Sequence, residues 1–240
     1  MAVRIARLLL VWTCAAVCAP LALAQTQVME LDSTSRLRPH NVEVSPVTLH
    51  GKRGVRVIAS NEAKRQQPEL PTEASSRAET LVLLEQLEFG NGVIEAEIAG
   101  EPAPDAAEGA RGFVGIAFRV QPDLKTYDAF YLRPTNGRAD DQVRRNHSAQ
   151  YISHPEWPWF RLRKEMPERY ESYVDLVPGE WTRIRIEVEG VKARLYVHGQ
   201  TQPTLIVNDL RSGAATRGGI ALWISTGTVA HFRLIKVQKS

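Results

Sequence analysis

At 240 residues and 26.8 kDa, the chain has room for one substantial domain or two small ones. Its 43% hydrophobic and 24% charged content excludes wholesale disorder. With 30 Lys and Arg against 27 Asp and Glu, a net charge of +3, it also excludes a chain-wide basic surface for nucleic acid.

The first predicted element is a leader. Arg4 and Arg7 precede an apolar run from Leu8 to Ala24 that closes on Ala22-Leu23-Ala24, a small-residue cleavage pattern, before Gln25. This is the layout of a secretory signal peptide over residues 1–24. The run is at the short limit for spanning a bilayer and Pro20 interrupts it, so no stable membrane insertion is expected after cleavage. The protein is expected to be exported, periplasmic or secreted. Cys14 and Cys18 are the only cysteines and both fall in the leader, so residues 25–240 would hold no disulfide, no thiolate nucleophile and no Cys-ligated metal. Without Arg4 and Arg7 the balance becomes 28 against 27. Residues 25–240 read as a single domain that must rely on its own apolar core.

No stretch of this remainder holds a helical period. Short apolar runs punctuated by Gly, Pro, Asn and Asp predict strands at 47–49, 54–59, 80–86, 92–99, 112–120, 127–133 and 147–152. Further strands are predicted at 204–207, 219–225 and 229–237. Between them, 61–77 and 100–111 read as polar, Pro-containing loops, and 155–173 as an ordered excursion or short helix over one face. The clearest element is 181–198. Ile184, Ile186 and Val188 alternate with Arg183, Arg185, Glu187 and Glu189. After Gly190 the alternation resumes, with Val191, Ala193, Leu195 and Val197 inward and Lys192, Arg194, Tyr196 and His198 outward. A period of two on both sides of a tight turn predicts a hairpin with one buried face. The whole is an all-β sandwich.

The segments FGNGVIEAEI (89–98), GFVGIAFR (112–119), YDAFYLRP (127–134), GEWTRIRIEVEGVKARLYVHG (179–199) and GGIALWISTGTVAHFRLIKV (218–237), in this order, resemble the concanavalin A-like lectin/glucanase superfamily. Within it they look closest to the bacterial 3-keto-disaccharide hydrolase domain family. The resemblance implies a jelly-roll β-sandwich of two curved antiparallel sheets, whose concave face takes ligands. It covers the chain from about residue 80 onward, and such sandwiches host lectins, glycosidases and inert spacers alike.

Three groups of residues could carry chemistry. Glu95 and Glu97 share a strand face about 6.6 Å apart, a separation usable for paired-carboxylate glycoside hydrolysis. They only approximate the E-x-D-x-x-E signature of laminarinase-type glucanases, since Glu97 replaces the Asp and Glu101 falls one position late. The simpler reading is the polar side of a half-exposed strand, with Ile94, Ala96 and Ile98 inward. The second group follows a turn signal at Pro134. Asn136, Arg138, Asp140, Asp141, Arg144 and His147 lie in a dense block of mixed charge, either a solvated loop or a ligand-binding one. Asp140 and Asp141 are a weak calcium signal, and His147 could act as acid or base. The third group is aromatic: Tyr151, Trp157, Trp159, Phe160, Tyr170 and Tyr173 crowd one window, interleaved with Arg and Glu. Rings that pack on sugar C–H faces beside groups that bind hydroxyls suit a carbohydrate cleft, although rings can equally anchor an excursion to a sheet.

Strand phase ties the groups together. Tyr127, Tyr131 and Arg133 share one side of their strand while Phe130 and Leu132 take the other, and Arg119 is out of phase with Ile116 and Phe118. A polar and aromatic row is therefore expected on the open face of one sheet. The expected function is an exported carbohydrate-binding or carbohydrate-active domain. It is either a glycoside hydrolase similar to the 3-keto-disaccharide hydrolases or a non-catalytic glycan-recognition or structural envelope module. No zinc motif, phosphate loop or nucleophile–base pair occurs, so neither cofactor nor metal is expected.

Overall fold

A computed structural model describes residues 26–66 and 79–240; the leader and residues 67–77 of the first predicted loop lie outside the described residues. Fifteen strands form: β1 (Thr26–Met29), β2 (Leu37–His40), β3 (Val42–Leu49), β4 (Lys52–Ala59), β5 (Leu81–Phe89), β6 (Gly92–Pro102), β7 (Val114–Val120), β8 (Tyr127–Leu132), β9 (Ala149–His154), β10 (Glu171–Ser172), β11 (Thr182–Glu189), β12 (Lys192–Val197), β13 (Leu205–Val207), β14 (Gly218–Ile224) and β15 (Thr228–Lys239). Among the described residues three short α-helices accompany them, α1 (Asn61–Arg65), α2 (Gln142–Asn146) and α3 (Trp159–Glu165).

The strands make two antiparallel sheets, a jelly roll. One has the order β13-β12-β11-β6-β15-β4-β3, with β1 also on β15; the other is β10-β9-β8-β7-β14-β5-β2. We call them the first and second sheets. One apolar cluster unites them, including Val55, Ile94, Ile98, Ile186 and Phe232 from the first and Ile116, Phe118, Phe130 and Leu222 from the second. The sheets come close at Gly100, where a Cβ would lie 2.7 Å from Cγ1 of Val114. Val114, Ile116 and Phe118 therefore face inward, and Gly115, Ala117 and their cross-strand partners face out.

The hairpin forms as its alternation predicts. Ile184, Ile186 and Val188 pair with Val197, Leu195 and Ala193, and all six are buried. Val191 differs: it sits in the turn beside Gly190, with 37% of its surface exposed. The strand predicted at 92–99 runs on through Pro102, and the predicted loop at 61–77 opens with α1, whose first turn is capped by the Ser60 hydroxyl accepting from the Ala63 N–H. The expected excursion contains α3, and β1 and β2 have no counterpart in the predicted elements.

The outward side of the first sheet carries many charged residues, and among the buried residues on it is a histidine. His231 lies beside Trp181 (ring centroids 6.4 Å apart) and is only 5% exposed, and its Nδ1 has no hydrogen-bond partner. Burial, with the positive charges of Arg56 and His50, pushes its pKa down to about 4. A histidine depressed from its ordinary 6.5 is neutral in both states at high pH. As the pH falls below 6.5 the unfolded chain takes the proton first, so stability is present above 6.5 and is lost toward about 4. The loss due to this one residue is about 3 kcal/mol. His231→Phe should match the parent near pH 7.5 and lose less on acidification, by that margin, in urea melts at several pH values. Parallel curves for the two proteins would refute this reading.

Candidate functional site

The outer side of the second sheet carries a continuous row across six strands. Reading the pairings from edge to edge gives Glu171, Gln150, Tyr131, Gly115, Trp223 and Leu81. Gly115 is the keystone, because a Cβ there would come within 2.5 Å of Tyr131 Cβ. Its bare backbone lets Tyr131 and Trp223 close over it, with ring centroids 4.7 Å apart. The next row is small, with Ala129, Ala117 and Ala221 side by side. That leaves room for Trp223 and Tyr127 to lean together, and Trp223 Nε1 donates to the Tyr127 hydroxyl at 3.0 Å.

Two polar clusters stand at the ends of this floor. At one end the Tyr127 hydroxyl donates to Glu79 Oε2, while His154 Nδ1 is 2.9 Å from Glu79 Oε1 and 3.1 Å from the same hydroxyl. Burial, then the Glu79 charge, pushes the phenol of Tyr127 well above its ordinary pKa, so it remains a donor. Glu79 stands to accept from both neighbours, and in the neutral imidazole a proton on Nδ1 of His154 would leave the lone pair on Nε2. Glu79 and His154 are both partly exposed. A carboxylate that fixes an imidazole tautomer is the orienting half of a general acid–base pair.

At the other end Arg133 is buried, yet it donates to Glu171 Oε1 at 3.0 Å, Tyr131 hydroxyl at 2.8 Å, Gln150 Oε1 at 2.8 Å and the His147 carbonyl at 2.8 Å. Arg163 grips both oxygens of Glu171 as well. Burial would raise the Glu171 carboxyl, but the Arg163 bonds and the two arginine charges outweigh it and hold the group ionised below its usual range. Burial also lowers His147, helped by the charges of Arg163 and Arg133 against the pull of Glu171, so it is neutral near pH 7. Phe113 and Trp159, both half-buried, flank the Arg133 guanidinium at 5.2 and 5.9 Å.

The predicted site residues divide accordingly. Tyr127, Tyr131, Arg133, His147 and Trp159 come together on this side. Asn136 is buried behind it, bonding the His147 carbonyl and Arg144. Arg138 forms an exposed fork with Asp175, Asp140 is exposed, and Asp141 caps α2 by accepting from the Arg144 N–H. Three residues do not join the face. Tyr151 pairs with Phe130 on the inner side and donates to buried Asp128. Trp157 is held between Arg161 and Arg211, 4.0 and 4.5 Å from its ring centroid. Arg119 is fully buried and bonded to loops. Glu95 and Glu97 lie on the outer side of the opposite sheet, where Arg233 and Lys52 pair with Glu97. Burial tends to raise Glu97, but the Arg233 bond dominates in sum with the nearby charges and lowers it, the wrong direction for a general acid. The simpler reading of that pair fits this placement.

Sequence reasoning missed Glu79, His154, Trp223 and Phe113. Trp223 had a usable signal, since it breaks the apolar inward series Ile220, Leu222 and Ile224 in the opposite phase. Among the described residues no cluster of three or more His, Cys, Asp or Glu could hold a metal, and no helix is long and apolar enough to cross a membrane.

No family profile and no curated protein matches the chain. Among solved structures, the chain is similar to the carbohydrate-binding module CBM66 from Bacillus subtilis, with a TM-score of 0.52 and 11% identity over 85% of this chain and 96% of that one. It is also similar to a protein of unknown function with a galectin-like fold from Bacillus subtilis (TM-score 0.51, 12% identity, 89% and 94% covered). A third is a glycosyl hydrolase candidate from Parabacteroides distasonis (TM-score 0.51, 11% identity, 89% and 100% covered). At these identities what is shared is the fold, a jelly-roll β-sandwich.

Proposed function

We propose that this protein binds carbohydrate on the outer side of its second sheet, outside the cytoplasm. The observation that supports this best is the pair of half-buried rings, Phe113 and Trp159, beside a buried Tyr131–Trp223 floor that joins two hydrogen-bonding clusters. Rings that take sugar C–H faces and oriented charged groups that take hydroxyls are thereby on one side of one sheet. The leader pattern supports export, and the similar solved structures include a carbohydrate-binding module. A glycan array on the protein, with reducing-sugar release measured in parallel, tests the reading. Phe113→Ala and Trp159→Ala should each weaken binding by about 1 kcal/mol, roughly fivefold, in protein that circular dichroism shows to be folded. Glu97→Gln, on the other sheet, should bind as the parent does. If both ring variants bind every glycan as the parent does, the face is wrong.

A catalytic version, a hydrolase similar to the 3-keto-disaccharide hydrolases, has one observation in its favour: the Glu79–His154–Tyr127 cluster. In that version His154→Gln and Glu79→Gln abolish sugar release while binding persists, whereas Glu95→Gln does not. Binding without release by the parent leaves the non-catalytic module.

A further inference from the structure

The Arg133 end of the face holds more positive charge than its surroundings answer. Four guanidiniums gather there, those of Arg111, Arg133, Arg144 and Arg163. The carboxylate bonded among them is Glu171, and Arg133 and Arg163 already bind it. Arg144 donates to neutral acceptors, Asn136 Oδ1 at 3.1 Å and the Thr135 carbonyl and hydroxyl at 3.2 Å. Arg111 donates to its neighbour's carbonyl, that of Ala110, at 3.2 Å, and its loop lies against Thr135 through a backbone bond. Among the described residues neither side chain forms an ion pair with a carboxylate; Asp141 next door bonds the backbone N–H of Arg144 instead. Burial lowers the pKa of Arg111, and the charges of Arg144 and Arg133 lower it further, so the three stand within each other's field. Both Arg111 and Arg144 are partly buried, where like charges are poorly screened. Phe113, two residues along the chain from Arg111, has its ring 5.2 Å from the Arg133 guanidinium.

Resting on the reading of this face as a carbohydrate site, we infer that its ligand is an acidic carbohydrate whose anionic group, a uronate carboxylate or a sulfate ester, seats between Arg111 and Arg144. A planar guanidinium fork matches either oxyanion with two parallel charge-assisted bonds. Each supplies the counter-charge that this corner lacks.

The test is calorimetric titration of the full exported chain with three probes at low and high NaCl: an oligogalacturonate, a sulfated galactan oligosaccharide and a neutral galactan oligosaccharide. An acidic probe should bind at least about tenfold more tightly than the neutral one and weaken as salt rises. Whichever acidic probe is tighter identifies the oxyanion. Arg111→Gln and Arg144→Gln should each reduce acidic-probe binding about tenfold and leave the neutral probe unaffected. Arg183→Gln, exposed on the other sheet, should change neither. Arg144→Lys should recover part of the loss, which separates charge from a folding defect. Equal, salt-independent binding of acidic and neutral probes overturns the inference while the carbohydrate reading stands. Binding of none of the three, nor of any arrayed glycan, overturns both.

Discussion

Ile186→Asp is expected to destabilise the domain on the order of 4 kcal/mol, while Arg185→Asp, one residue away, should cost about 1 kcal/mol. Ile186 is wholly buried on β11 between Ile94 of β6 and Leu195 of β12, at the centre of the first sheet. Replacing it removes about 1.5–3 kcal/mol of apolar burial and inserts a carboxyl with no cation or donor in reach. The aspartate must protonate or drag water inward, and either adds to the loss. Arg185 points the other way. It stacks 3.9 Å from the Tyr196 ring centroid, pairs with Glu187 and stands opposite Glu95. Its reversal sacrifices one half-exposed cation–π contact and sets an acid beside two others, effects that solvent screens. Urea unfolding with the slope checked for constancy measures both. Equal losses would mean that the strand phase is inverted.

That pair marks what the sequence could tell. Alternation records which side of a strand is buried, so the hairpin, the inward series of β7 and the Tyr127–Tyr131–Arg133 face were all readable one strand at a time. Alternation does not record which strands become neighbours. Glu79, His154 and Trp223 are separated by 75 and 69 positions in the chain, and only the order β9-β8-β7-β14-β5 places them around Tyr127. Tyr151 illustrates the same limit. Its place in a window rich in rings suggested a cleft, but its register opposite Phe130 turns it into the core. The Asn136–His147 block was ambiguous for another reason. Its charges divide among a helix cap, an exposed fork and a buttress to Asn136, and composition cannot distinguish these uses.

Arg119 shows where phase reasoning fails altogether, and its substitution is the other large effect expected. The register of β7 with β14 slips between Gly219 and Ile220, leaving Arg119 as the extra residue of a bulge with a φ of +56°. A bulged residue leaves the alternation, so the sequence could not say that its side chain turns into the end of the sandwich. There the guanidinium donates to the carbonyls of Gly90, Gly190 and Gly213 at 3.1, 2.8 and 2.8 Å, and to Asn91 Oδ1 and Ser212 Oγ at 3.2 and 3.0 Å. Those acceptors belong to the β5–β6 turn, the β11–β12 turn and the segment before β14, so one side chain ties both sheets together. It is also the cation beside buried Asp128, 3.9 Å away. Arg119→Met should cost about 3–5 kcal/mol, because it strands several acceptors and a buried carboxyl at once. The melting temperature should fall by roughly 6–20 °C for a domain of this size. Arg119→Lys, with three donors in place of five, should fall between. Asp128 adds a pH signature. Burial raises its carboxyl pKa, so the folded form takes a proton more readily than the unfolded chain does. The penalty for a charged, unaccompanied Asp128 is present above that raised pKa and is relieved as the pH falls through it. The deficit of Arg119→Met relative to the parent should therefore shrink on acidification, and Asp128→Asn in the same chain should recover part of it at neutral pH. A methionine variant as stable as the parent, or a deficit that grows toward acid, would mean that the clamp does not hold the sheets.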